Sequence, residues 1–79
     1  MRLYLLKPIN PNAPPFDPWW DKSFGFVVRA KSEQDAREYA AKERGDEGAD
    51  TWRDPALTSC EVLPARGEAG VILTDFRNA

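Results

Sequence analysis

Six carboxylates and all three tryptophans of this 79-residue chain fall in two stretches, residues 8–22 and 45–56. The acids are Asp17, Asp21, Asp46, Glu47, Asp50 and Asp54, the indoles are Trp19, Trp20 and Trp52, and the bases are Lys22 and Arg53. The two stretches therefore carry a net −4 in a chain of formal charge −2, which leaves +2 on the remainder. Tryptophan is enriched among residues that carry binding energy, and rim charge steers encounter, so these nine residues together suit a protein partner with a basic surface. Asp17 before Pro18 and Asp54 before Pro55 also have the ordinary role of Asx-type turn residues. Asp46-Glu47-Gly48-Ala49-Asp50 lacks the D-x-[DN]-x-[DN]-G spacing and distal glutamate of a calcium loop, so no metal site is expected. A chain this small can hardly hold the pocket of roughly 300 Å³ or more that acid–base chemistry between two carboxylates needs.

Other catalytic sets are missing. The chain has no histidine, which removes Ser-His-Asp and Cys-His sites, histidine-bound zinc and the commonest general base. Cys60 has Glu61 beside it and nothing to lower its pKa, so it reads as a small buried hydrophobe. A single cysteine forms no intramolecular disulfide, and a reducing, cytoplasmic setting is expected. Lys22-Ser23 has no glycine at phosphate-loop spacing before it, and Gly45 and Gly48 follow no strand, so nucleotide binding has no support and no cofactor is expected. A pI near 5.0 argues against direct binding of nucleic acid through phosphates. Leu3–Leu6 is too short an apolar run for a signal peptide, and nothing approaches the roughly 20 apolar residues of a membrane helix.

The elements that must position the two stretches are legible from periodicity. Residues 2–7 form a short apolar run, stopped by Pro8 and then by Pro11, Pro14, Pro15 and Pro18, so residues 8–22 should form an ordered loop. Over residues 23–30, Phe24, Phe26, Val28 and Ala30 alternate with Gly25, Val27 and Arg29, as a half-buried strand requires. Ser32 then caps a run in which Ala36, Tyr39 and Ala40 repeat at helical spacing, Glu38 and Lys42 are four apart, and Gly45 can supply a left-handed terminus; the helix is expected over 32–44. Residues 45–56 read as an acidic loop. Two further β-runs, 57–63 and 70–76, are joined by Pro64–Ala69 as in a hairpin. The expectation is a single α+β domain over residues 1–79, in the order β-β-α-β-β, with a four-stranded antiparallel or mixed sheet and one helix on one face.

In this order the proline loop and the acidic loop lie at the same end of the sheet. One helix covers one face only, while Leu3, Leu5 and Val27 place apolar side chains on the other. A buried tryptophan removes about 200 Å² from water, worth about 5 kcal/mol at most, which a domain of this size can hardly forgo three times. At least two of the three indoles are therefore expected as core lids, with Trp19 or Trp20 covering the second face. One indole standing out as an anchor is compatible with this.

With a Leu/Tyr-rich first strand, Pro-Trp-Trp-Asp-Lys leading into Phe-Gly-Phe-Val-Val-Arg-Ala, and a later Asp-Pro-Ala-Leu-Thr-Ser-Cys-Glu, the chain resembles compact bacterial or phage proteins. In size, acidity and lack of a catalytic set it is similar to the anti-CRISPR proteins, small phage-borne inhibitors of bacterial CRISPR effectors. The likeness is one of overall character, since those proteins share no motif that would carry a residue's role across. It implies a non-enzymatic inhibitor of a nucleic-acid-handling complex, acting in the cytoplasm on a protein partner such as an effector subunit, as a monomer or weak homodimer. The alternative is a small structural or regulatory domain that dimerises through the uncovered sheet face.

Overall fold

A computed structural model describes residues 1–75 of the chain. The elements are β1 (Arg2–Pro8), β2 (Phe26–Ala30), α1 (Glu33–Lys42), α2 (Ala49–Arg53) and β3 (Thr58–Val62). β1 is the middle strand, with β2 and β3 antiparallel on either side; Leu6 pairs with Phe26 on one flank and Cys60 on the other. The architecture is thus a three-stranded antiparallel α+β fold.

Alternation along β1 sends Tyr4 and Leu6 to the face that α1 covers, where they meet Phe16, Ala30, Ala36, Ala40, Ala41 and Trp52. The alanine stripe of α1 lets its backbone sit close to the sheet, and the large side chains come from the loops and α2 instead. α1 begins as its sequence requires: Ser32 is extended, and its Oγ accepts from the Asp35 N–H at 3.2 Å. It ends earlier than 44, at Lys42, with Glu43 as C-cap. Gly45 is not a left-handed cap. It is where two segments of the chain touch, since a Cβ there would lie 2.3 Å from the Asp21 carbonyl oxygen and 2.9 Å from Lys22 Cα.

Two expectations are corrected. The sheet has three strands among the described residues: residues 70–75 form no strand, and residue 76 lies outside them. Pairing, not propensity, makes a strand, and the Val71–Leu73 run has no ladder partner here. The described residues hold two helices, because the segment read as an acidic loop closes a short turn of helix that drives Trp52 into the core. The proline loop contributes to the helix-side core. It folds back through bonds from Phe16 N–H and Asp17 N–H to the Ala13 carbonyl and delivers Phe16 to the helix side, in ring contact with Phe24 and Trp52. On the opposite face Leu5 is only 3% exposed, whereas Val27 is 52% exposed. The C-terminal segment reaches that side beside Gly25, where Leu73 Cδ1 lies 3.9 Å from the position of a Cβ. No helix among the described residues is long and apolar enough to cross a membrane.

Candidate binding surface

The two loops meet. Asp46 N–H donates to the Asp21 carbonyl at 2.8 Å, and Ser23 N–H donates to Glu47 Oε1 at 3.0 Å. Asp21 presents its carbonyl from a left-handed conformation, φ 53°, which aspartate tolerates better than most residues. Gly45 allows the close approach.

Glu47 and Trp52, counted in the sequence among partner-facing residues, belong to the interior. Glu47 is buried, and its Oε2 accepts from Trp52 Nε1–H at 2.6 Å while its backbone carbonyl accepts from Thr51 Oγ1 at 2.6 Å. Trp52 is fully buried, edge-on to Phe16 and Phe26 at ring-centroid distances of 5.7 and 4.8 Å. The reason is the apolar gap left by the alanine face of α1, which the indole fills while the carboxylate satisfies its N–H.

The other acids divide by role. Asp54 Oδ1 accepts from Ala56 N–H at 2.8 Å, the Asx turn expected before Pro55. Asp50 is exposed and pairs with Arg53 at 3.0 Å, and the Arg53 fork also grips Glu38 across elements, with Nε 3.0 Å from Oε2 and Nη2 3.1 Å from Oε1. Glu38 is thus held by Arg53, and the Lys42 ammonium sits 5.5 Å from the Tyr39 ring centroid. The hydrogen bond from Arg53 holds the Glu38 carboxyl below its ordinary pKa, and Glu38 in turn raises that of Arg53. Asp17, Asp21 and Asp46 are exposed and make no ion pair with any described residue. Among the described residues no three carboxylates or thiols converge as metal ligands.

Trp19 and Trp20 are exposed, as is Tyr39 on α1. The two indole rings stack at 4.5 Å with an interplanar angle of 24°, and Trp20 keeps 64% of its surface in water against 37% for Trp19. Of the three indoles one is therefore a core lid, where at least two were expected. The surface at this end is a stacked indole platform bordered by Asp17 and Asp21 in sequence, with Asp46 tied to Asp21 by the backbone.

Arg37 escaped the sequence reading. It is buried, pairs with Glu33 at 2.9 Å, and donates to the carbonyl of Trp52 at 3.1 Å, to Thr58 Oγ1 at 2.9 Å and to the Thr58 carbonyl at 3.0 Å. One guanidinium thus joins α1, α2 and β3. The available signal was spacing, since Arg37 stands four residues before Ala41 on the buried side of α1. Cys60 packs half-buried against the core, and burial, with Glu33 adding to it, pushes its thiol pKa up. Its environment is that of an inert thiol.

Comparison with protein-family models, curated proteins and solved structures finds no match for this chain.

Proposed function

We propose that this protein is a non-enzymatic, protein-binding inhibitor of a nucleic-acid-handling complex, of the anti-CRISPR type, working in the cytoplasm on a partner with a basic surface. The observation that carries the reading is the Trp19–Trp20 stack, two large apolar rings left in water by a domain that has little apolar surface to spare. Asp17, Asp21 and Asp46 border it without ion-pair partners of their own among the described residues, so their charge is available for steering.

The test is target-DNA binding by purified type I effector complexes of several subtypes, with and without the protein, together with pull-down of effector subunits. Inhibition or capture by the wild type, lost in the Trp19→Ala/Trp20→Ala double variant, is the expected result. Failure of both across the subtypes removes the inhibitor reading. The exposure of Val27 beside Leu3 on the second sheet face favours a different reading, a domain that dimerises there. Mass that rises with concentration, and falls back in Val27→Lys, would select it.

A further inference from the structure

The geometry points to an arginine side chain of the partner as the group this surface takes, its guanidinium lying flat on the outward face of Trp20 and sharing its N–H edge with the neighbouring carboxylates. The inference rests on the reading of the Trp19–Trp20 surface as the partner-binding one.

Trp19 occupies one face of the Trp20 indole at a stacking distance of 4.5 Å. With that face taken, 64% of Trp20 still remains in water. The stack also fixes the ring, so a flat ligand finds a platform that has already lost its rotamer freedom. Among the described residues no cation lies over either indole; the cation–ring contact is Lys42 over Tyr39, on α1. Asp21 follows Trp20 directly, the Asp46 N–H is bonded to the Asp21 carbonyl at 2.8 Å, and neither carboxylate makes an ion pair with a described residue.

Three kinds of occupant can be compared. A purely apolar side chain would gain the ring but strip water from the carboxylates without replacing it. A lysine ammonium is compact and strongly hydrated, and it engages either the ring face or a carboxylate well. A guanidinium is planar, weakly hydrated and always charged. It stacks on indole, the best of the aromatic rings for this contact, while its edge donates in a fork to a carboxylate. Only the last uses both halves of the surface at once.

The experiment uses the full chain, ¹⁵N-labelled, with the three indole N–H signals followed by NMR. The probes are the glycine-spaced peptide acetyl-Gly-Arg-Gly-Arg-Gly-amide and its lysine counterpart of equal charge. The arginine peptide is expected to shift the Trp20 signal saturably, and the lysine peptide to bind about threefold more weakly or worse. Trp20→Ala should abolish the difference between the peptides, and Asp21→Asn with Asp46→Asn should weaken both. The Trp52 signal, locked on Glu47, should not move and reports an intact fold in every sample. Equal affinity for the two peptides, an arginine preference that survives Trp20→Ala, or no shift with either peptide at millimolar concentration overturns the assignment. Capture of a protein partner that still depends on Trp20 would then leave the binding surface standing without its arginine.

Discussion

The Glu47 carboxylate stands between Trp52 and Ser23, accepting the indole Nε1–H on one oxygen at 2.6 Å and a backbone N–H on the other at 3.0 Å. One buried side chain therefore fastens α2 to the segment that leads from the tryptophan platform into β2. Glutamine cannot replace it, because an amide has a single oxygen and would turn its NH₂ group toward one of two donors. Glu47→Gln is expected to cost about 1–3 kcal/mol, as an unsatisfied buried donor does, read from urea unfolding. Stability equal to wild type would mean that the carboxylate is not needed as a double acceptor.

The indoles should divide in the same measurement. Trp52→Ala opens a cavity among Phe16, Phe26 and the α1 alanines and is expected to lose about 3–5 kcal/mol. Trp20→Ala removes a mostly exposed ring and should stay within about 1 kcal/mol of wild type. Similar losses in the two variants would contradict the burial described above.

Gly45 provides a geometric test of the loop contact. An alanine Cβ there would strike the backbone of Asp21 and Lys22, which cannot give way as a flexible side chain does. Gly45→Ala is expected to cost about 1–3 kcal/mol and to shift the Trp20 indole signal as the two loops separate. A silent substitution would mean the loops are not in contact in solution.

The Glu38–Arg53 pair makes a prediction about acid. The Glu38 carboxyl is held low first by the Arg53 hydrogen bond, with Arg53 and Lys42 charge adding and desolvation opposing. A carboxyl whose pKa is lower folded than unfolded adds stability above its unfolded value and loses it as the pH falls through the folded one. Both groups are solvent-exposed, so the effect is small and screened. Glu38→Gln should flatten the acid limb of the stability profile at low salt, with the difference from wild type vanishing below the folded pKa and shrinking in molar salt. A difference that persists at the most acid pH would assign the loss to packing instead.

The parts legible in the sequence are those where local pattern and tertiary role agree. Alternation marked Phe26 to Ala30, and the Ser32 cap with its alanine stripe marked α1, because one face of each had to be buried. Tyr4 and Leu6 were readable as strand residues, but their sharing of the middle position was not, since strand order leaves no trace in period. The fourth strand failed where β-propensity was strongest, at Val71–Leu73, for want of a paired edge. α2 was hidden for the opposite reason: Gly48 gives it no side-chain cap, and five residues of helix are held by Trp52 in the core, not by propensity. In the candidate site, adjacency of the loops followed from element lengths. The partition of the acids into solvated, ion-paired and buried did not, because each role depends on a partner distant in sequence, such as Ser23 for Glu47 or Arg53 for Glu38.

The middle position of β1 bears on how the chain reaches this state. β1 is made before both strands that flank it, and neither flank is a tight hairpin, for Leu6 must wait for Phe26 and then for Cys60. During synthesis, Leu3 to Leu6 therefore stay without their second neighbour until nearly all of the described chain has emerged. Contacts this far apart in sequence slow folding, and an unpaired apolar strand is prone to aggregate in the meantime. The yield of soluble protein should thus depend on conditions that shelter β1 during this interval, while the finished fold keeps that strand at its most protected position.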